Sequence, residues 1–451
     1  MPSAANPAPV GSSQGADELS VHDLAVVNRR LYHATLLAGR TLAAFAPLLG
    51  DVAPRAALVR AVHALIGQSV LLHDRLLEMR IRPDELGTPG PAAVEAADDL
   101  LAGSGERALV FAAALLRGLE DTFTELHNGC RAEHAFHDRR LYGACLALVA
   151  EGTEPYRPHP EDPEGPGPKV VPDAAALRTV ADFLAVPCTA GAPTTATGTP
   201  ALRLRDCPTR RYPGWASFVS AADVEFQDPE ADDPARSIVL HALRKGIATE
   251  FISTDIPLRN IAEFPDLPLQ FYRDMARHAH DELRHTHLLL DHLTAMGKDY
   301  RRVAFRIPDT YSAMAGQPLA FRLIVLSRTG EDAAIEALAD AIPRLRSTGY
   351  ADVAVMFDHV LADELRHVAY ANHWLRHLHG DDLAVEAVTT RALEQLNVMV
   401  EERGLGDYMR REPDHSARRG RYNPDLELRR LAGFSDHDLA RMAAMSTGSA
   451  A

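Results

Sequence analysis

One pentapeptide, Asp-Glu-Leu-Arg-His, occurs twice in this sequence and carries its best candidates for chemistry, at residues 281–285 and again at 363–367. Both copies lie in stretches whose apolar periodicity predicts α-helices. Residues three apart on an α-helix lie on nearly the same face, about one turn apart. In each copy the glutamate and the histidine therefore offer a carboxylate oxygen and an imidazole nitrogen to one point. The pairs are Glu282 with His285 and Glu364 with His367.

Two further glutamates precede the motifs at matched distances. Glu250 stands 32 residues before Glu282, and Glu331 stands 33 residues before Glu364. Each half of this region therefore predicts one antiparallel hairpin, in which one helix supplies a glutamate and the next supplies Glu-x-x-His. Four helices carrying these residues form the ligand set of a di-iron site in a four-helix bundle. Glu336 lies about 140° round the helix from Glu331, which makes it a poor substitute ligand.

The donor atoms of this set favour iron or manganese. Carboxylates with two imidazoles and no thiolate suit these metals better than zinc or copper(I). The four cysteines form no Cys-x-x-Cys pair, which argues against a rubredoxin-type iron site. We therefore expect two iron ions, with manganese as the alternative. His278, two turns before His285 on the same face, could approach the site as an extra ligand.

The elements that must position these residues follow from periodicity and from Pro/Gly breaks. The predicted segments are a disordered N-terminus at 1–20, an N-terminal helical bundle at 21–151, a Pro/Gly-rich connector at 152–233, the metal-binding domain at 234–405 and a C-terminal tail at 406–451. The helices predicted in the metal-binding domain are 234–254, 268–296, 319–342, 348–378 and 382–403. The tail is Arg-rich and predicts no particular structure. The stretch between His285 and Glu331 is long enough to cross a bundle.

The N-terminal bundle is predicted to consist of helices at 21–49, 55–79, 106–130 and 132–151 and contains no Glu-x-x-His motif. Glu133 and His137 are four residues apart and have no second motif to pair with. A structural or partner-packing role is the expectation for this half, and a missed site is the alternative.

With both motifs in view, residues from about 234 to 378 resemble the ferritin-like di-iron carboxylate superfamily. Within it they resemble a largely uncharacterised bacterial family, for which the run from Asp363 to Ala369 is the best match. The fold class expected is all-α, a ferritin-like four-helix bundle carrying the metal site, preceded by a second, metal-free helical bundle. The ligands implied by the resemblance are Glu250, Glu282, His285, Glu331, Glu364 and His367, with Glu282 and Glu364 bridging the metals.

The resemblance also assigns roles around the ligands. Asp281 and Asp363 match aspartates that hold a ligating imidazole by its other nitrogen, and plain helix-surface acids are the alternative.

Small residues near the ligands would leave room for a substrate, although a glycine can equally permit close helix packing. The candidate pocket residues are Gly246, Ser327, Gly330 and Tyr370. Tyr370 could instead be a packed core residue.

The function expected is a non-haem di-iron oxidase or oxygenase that activates O2 to oxidise a small organic substrate, with an external electron donor. A ferritin-like ferroxidase without an organic substrate is the alternative. A tRNA hydroxylase and a metal-free structural protein are further readings, and the net charge of −15 disfavours any nucleic-acid partner.

No long apolar run or signal peptide is recognised, so a cytoplasmic protein without a membrane span is expected. The N-terminal bundle is expected to stabilise the second domain or to form a homodimer. Substrate, reaction type and reductant stay open.

Overall fold

The computed structural model of the chain describes residues 20–49, 52–89, 91–130, 136–154, 180, 218–220, 234–298, 305–307, 314–402 and 424–448. These residues are helical apart from turns and one short pair of strands. The all-α expectation is therefore confirmed for the described chain. The predicted disordered N-terminus at 1–20 and the connector at 152–233 lie almost wholly outside the described residues. The chain divides into two compact units, which are described in turn.

The first unit holds the described residues of Met1–Leu42, Arg60–Tyr156 and Pro166–Arg203. Its helices are α1 (Val21–Ala43), α2 (Val52–Glu78), α3 (Pro91–Leu101), α4 (Gly105–Gly129) and α5 (Phe136–Thr153). The first residues of α2 count with the second unit. In α4 the Ser104 side chain accepts a hydrogen bond from the Arg107 backbone N–H, which caps the helix start. The buried residues Phe111, Leu115, Leu119 and Phe123 recur every four positions and form the apolar face of α4.

The second unit holds the described residues of Ala43–Val59, Arg157–Gly165 and Leu204–Ala451. Its elements are β1 (Phe218–Ser220), α6 (Pro234–Ser253), α7 (Asp255–Glu263), α8 (Leu269–Ala295), β2 (Phe305–Ile307), α9 (Leu319–Leu323), a π-helix (Ile324–Glu331), α10 (Asp332–Ser347), α11 (Ala351–His379), α12 (Asp382–Glu402), α13 (Leu426–Leu431) and α14 (Asp436–Gly448). Strand β1 pairs in parallel with β2, which lies within the long connection between α8 and α9.

The core of the second unit forms where α8 and α11 meet between two helical hairpins. Helix α6 packs on α8, α10 packs on α11, and the two motif-bearing helices pack on each other. The rings of Phe271 and Trp374 meet edge to face with centroids 5.2 Å apart. The indole N–H of Trp374 donates to Asp274 over 3.0 Å, so the contact between α8 and α11 is fixed by both packing and hydrogen bonding.

The predicted helix 234–254 is α6, which ends at Ser253, and a further helix that was not predicted, α7, begins at Asp255. Pro257 has no N–H to donate to the carbonyl of Ser253, so the helix breaks there. The predicted helix 319–342 is instead α9, the π-helix and α10 in succession, and it runs on to Ser347. Helix α11 ends at His379 and is followed by Gly380, whose φ of 94° is readily adopted by glycine alone.

The described part of the predicted tail, residues 424–448, folds onto the second unit. Its Ala432, Phe434 and Leu439 pack in one apolar cluster with Ile335 of α10 and Val368 of α11. Burial of this cluster explains why helices α13 and α14 form at the end of an Arg-rich stretch. The unit therefore extends beyond the predicted limit of residue 405.

Residues Ala43–Val59 also count with the second unit rather than with the predicted bundle 21–151. The reason is Arg55, which is fully buried and forms an ion pair with buried Asp255. Its guanidinium also donates to the Phe251 carbonyl over 3.2 Å and lies 4.1 Å from the centre of the Phe251 ring. A buried charge needs such partners, which ties this segment to α6 and α7.

Within the described chain, α2 is long and apolar enough to cross a membrane by length and composition. However, 61% of its apolar window is buried inside the protein. A buried window of this kind is also typical of a core helix in a soluble protein.

Candidate metal centre

The structure brings all six ligand candidates together in the second unit. Together with His278 they form two groups that share Glu282, and the ligand atoms within each group lie within 4.8 Å of one another. The first group is Glu250, Glu282, His285 and Glu364, and the second is His278, Glu282, Glu331 and His367. The residues come from α6, α8, the π-helix and α11. A shared carboxylate between two groups is the arrangement that a bridging ligand requires.

In the first group the donor atoms converge on His285. Its Nδ1 lies 3.5 Å from Glu250 Oε2, 3.6 Å from Glu364 Oε1 and 3.9 Å from Glu282 Oε2. These carboxylates come from three different helices, so only the folded bundle assembles the group.

In the second group Glu282 contributes its other carboxylate oxygen. Glu282 Oε1 lies 3.1 Å from Nδ1 of His367 and 3.1 Å from Nε2 of His278. His278 Nε2 also lies 2.9 Å from Glu331 Oε1, and its ring stacks on that of His367 with centroids 3.9 Å apart. Glu364 Oε2 is 3.8 Å from His367 Nδ1, so Glu364 reaches both groups.

The two aspartates of the motifs face the imidazoles in a crossed arrangement. Asp363 Oδ2 lies 3.2 Å from His285 Nε2, and Asp281 Oδ2 lies 3.6 Å from His367 Nε2. Each aspartate thus faces the histidine of the opposite motif. Asp281 is fully buried and Asp363 is 7% exposed, so neither is a helix-surface acid. Arg277 donates to Asp281 over 2.8 Å, and Arg284 pairs with Asp363.

Burial and neighbouring charges shift the pKa values of the carboxylates in both directions. Burial raises the pKa of Glu282 well above its ordinary range, and the charge of Glu250 raises it further. Burial raises the pKa of Glu364 to about 8, although the nearby His367 acts to lower it. Burial also acts to raise the pKa of Glu250 and of Glu331. The neighbouring Glu282 and His285 nevertheless hold the pKa of Glu250 below its usual value, and His278 does so for Glu331.

The imidazoles titrate differently from one another. Burial lowers the pKa of His285 below its ordinary value. Burial acts the same way on His367, but Asp281 and Glu364 outweigh it and raise that pKa to about 10. Burial acts to lower the pKa of His278, but the charge of Glu331 together with hydrogen bonds to Glu282 and Glu331 raises it to about 9. The cluster therefore holds exchangeable protons at neutral pH.

The chemistry of this cluster fits a pair of cations. Within the described residues, five buried ligand atoms have no hydrogen-bond partner: Glu282 Oε2, Glu331 Oε2, Glu364 Oε2, His285 Nδ1 and His367 Nδ1. A buried polar atom left without a partner costs about 1–3 kcal/mol. All five atoms belong to residues of the two ligand groups, and such oxygen and nitrogen donors suit iron or manganese.

The π-helix determines where Glu331 lies, because Glu331 is its last residue. Wider π turns are rare and occur frequently at functional sites. Glu336 instead lies 3.4 Å from Arg429 of α13 and takes no part in either group. His278, which the sequence indicated only as a possible extra ligand, belongs to the second group. Its four-residue spacing to Glu282 is the feature of the sequence that places both side chains on one helix face.

The candidate pocket residues take several roles. A Cβ at Gly246 would lie 2.9 Å from Leu289 Cδ1, so Gly246 permits close packing of α6 on α8 and leaves no room for a substrate. A Cβ at Gly330 would lie 3.1 Å from the Val325 carbonyl oxygen. Ser327 is buried, and its side chain hydrogen-bonds Glu331. Tyr370 is half-buried and belongs to neither ligand group.

Comparison with known proteins gives one family assignment. No curated protein and no solved structure matches the chain. One family model, described as "Protein of unknown function (DUF455)", matches residues 187–439. The match includes every residue of both ligand groups and reaches into α14. Because it spans more than half of the sequence, the chain belongs to the DUF455 family.

Proposed function

We propose that this protein is a ferritin-like, non-haem di-iron oxidase or oxygenase that uses O2 to oxidise a small organic substrate. The observation that carries the proposal is the pair of four-residue groups sharing Glu282, each built around one Glu-x-x-His motif. Glu250, Glu282, His285, Glu331, Glu364 and His367 would hold two iron ions, with manganese as the alternative. Ferrous iron bound there would supply the electrons that reduce O2 to an oxidant.

The side chains of this protein would provide geometry and a dry interior. Asp281 and Asp363 would orient the two motif imidazoles through Nε2, so that the Nδ1 atom of each faces the glutamates of its group. Five of the six proposed ligands are at most 7% exposed at their side chains, and Glu250 is 14% exposed. Access for O2 and substrate is therefore expected on the α6 side of the centre, where Glu250 lies. An external donor would return the electrons consumed in each turnover.

The test is anaerobic loading of the full-length protein with Fe(II), followed by metal analysis and exposure to O2. We expect about two iron ions per chain, as in other dinuclear carboxylate bundles. Glu331→Ala should lose iron, whereas Glu394→Ala, an exposed glutamate on α12, should retain it. Uptake of no more than about one ion per chain by the unaltered protein would overturn the proposal.

The same preparation separates the oxidase from the ferroxidase alternative. A substrate oxidase consumes O2 repeatedly when a reductant and an accepted organic molecule are present, and it yields an oxidised product. A ferroxidase consumes O2 only in proportion to added Fe(II) and releases or stores ferric iron. Screening amines, aromatic acids and fatty acids by product mass would therefore decide between them.

A further inference from the structure

We infer that His278 is a metal ligand, so that the centre holds three imidazoles and its two metal positions are chemically unequal. This inference rests on the proposed function, because it concerns the same pair of ions. It adds a residue that stands outside both Glu-x-x-His motifs. His278 belongs to the second ligand group by geometry, together with Glu282, Glu331 and His367.

The distances around His278 Nε2 are those expected of neighbouring ligands on one ion. Bonds of about 2.1 Å at right angles place adjacent donor atoms about 3 Å apart. His278 Nε2 lies 2.9 Å from Glu331 Oε1 and 3.1 Å from Glu282 Oε1. His367 Nδ1 lies at the same 3.1 Å from Glu282 Oε1. Four donor atoms from three elements thus surround one point.

The placement of His278 also argues for a ligand. The side chain is 1% exposed, and within the described residues its Nδ1 has no hydrogen-bond partner. A buried histidine with a structural role normally has both ring nitrogens satisfied. All polar contacts of this ring are instead made through Nε2, and both are to carboxylates proposed as ligands.

The consequence is an asymmetry between the two positions. The first group offers one imidazole, that of His285, with three carboxylates. The second group offers two imidazoles, those of His278 and His367, with two carboxylates. Imidazole nitrogen suits the later first-row metals, whereas carboxylate oxygen suits magnesium, calcium and manganese. The second position should therefore bind Co(II) first and more tightly than the first.

The test is stepwise Co(II) loading of the anaerobic full-length protein, followed by proton NMR in H2O and in D2O. Each imidazole bound to Co(II) gives one strongly shifted N–H signal that disappears in D2O. The fully loaded protein should show a signal for each of His278, His285 and His367. The signals of His278 and His367 should appear before that of His285 as Co(II) is added.

Variants assign the signals and control for folding. His278→Gln should lose only its own signal, and its affinity for the first Co(II) should fall about 10- to 100-fold. His292→Gln, on the same helix but beside Asp352, should keep every signal. If the unaltered protein lacks a signal for His278 while binding two Co(II), the inference fails and the proposed dinuclear centre stands. Failure to bind Co(II) at all would overturn both.

Discussion

At the residue scale, the most informative contacts are the crossed pairs between the motifs. Asp363 lies against His285, and Asp281 lies against His367. Each pentapeptide therefore supplies a carboxylate and an imidazole to the interior and an aspartate to the other copy. Neither motif is complete alone, which gives a physical reason for the pentapeptide to occur twice in one chain.

Removing the charge of either aspartate should weaken metal binding without unfolding the protein. In Asp363→Asn and Asp281→Asn the amide keeps the side-chain shape but no longer stabilises the imidazole as a ligand. Affinity for Mn(II) or Co(II) should fall about 10- to 100-fold in each variant, as measured by competition with a chelator. Asp358→Asn, which changes an exposed ion pair with Arg346, is the matched control and should bind as the unaltered protein does. Equal affinity in all three variants would show that the crossed contacts do not support the ligands.

Metal uptake should release protons and strengthen as pH rises. At pH 7 the metal-free protein carries protons on His278 and His367, whose pKa values are raised to about 9 and about 10, and largely on Glu364, whose pKa is about 8. A metal ion displaces these protons, so it competes with them less effectively as pH falls. The pKa of Glu331 is lowered, so this residue releases no proton when the metal binds.

Calorimetry in buffers of different ionisation enthalpy measures this release directly. We expect about two to four protons per pair of ions at pH 7, and an apparent affinity that rises steeply between pH 6 and pH 8. Heats that do not depend on the buffer would contradict the assignment of these residues as ligands.

Much of the centre could be predicted from sequence, because spacing alone determines which residues share a helix face. The six candidates were found in this way, and the structure brings them together. The contribution of His278 was harder to predict, because its spacing shows which face it occupies and not which neighbour that face meets. Gly246 illustrates the same limit: only the fold shows that Leu289 fills the space beside it.

At the element scale, the π-helix and the C-terminal helices act together on Glu331. Arg328, three residues before Glu331, pairs with Asp438 of α14 and lies 4.8 Å from the centre of the Phe434 ring. Asp332, the residue after Glu331, lies 2.9 Å from Arg429 of α13. Ion pairs from the two C-terminal helices therefore hold the chain on both sides of this ligand.

Apolar periodicity predicts the helices in this region but neither the π-helix nor the ion pairs. The predicted 268–296 and the observed Leu269–Ala295 agree closely, because apolar periodicity sets the helix. The π-helix has a wider turn than an α-helix, but it is only eight residues long, so the apolar pattern of Ile324–Glu331 is too short to distinguish the two. The role of Arg429 could not be predicted, because its partners, Asp332 and Glu336, lie almost a hundred residues earlier in the chain.

Breaking the pair between Arg328 and Asp438 should affect both stability and the metal centre. Asp438→Ala leaves the buried Arg328 guanidinium with a neutral partner, Asn372, and should destabilise the protein by about 3–5 kcal/mol. Arg328→Met combined with Asp438→Leu removes both charges and should recover much of that loss. Glu386→Ala, which breaks a more exposed pair with Arg441, should cost no more than about 1 kcal/mol.

Metal content distinguishes positioning of Glu331 from stability alone. If the ion pair positions Glu331, the double variant should fold and yet bind the ion of the second ligand group more weakly. Full metal affinity in a folded double variant would show that the C-terminal helices stabilise the unit without acting on the ligand.

At the scale of the whole molecule, the unit that carries the proposed metal centre is assembled from distant parts of the sequence. Arg55, Asp255 and Asp438 all contribute buried charges to the second unit, although they are separated by most of the first unit or by most of the second. Changes in composition set the predicted boundaries, and composition does not show that Arg55 has its buried partner two hundred residues later. The functional unit is therefore larger than the four helices that supply ligands.

Metal loading should consequently protect the second unit against hydrogen exchange in a defined pattern. A ligand at a hundred times its dissociation constant stabilises the state that binds it by about 2.7 kcal/mol, which slows exchange through the coupled openings roughly a hundred-fold. With Mn(II), amides of α6, α8, the π-helix and α11 should slow most, because these elements carry the ligands. Amides of α13 and α14 should slow as well, since their ion pairs flank Glu331. Helix α4, in the first unit, is the internal control and should exchange at the same rate with and without metal. Exchange that slows equally in α4 and α8, or in neither, would show that Mn(II) does not bind where the two motifs meet.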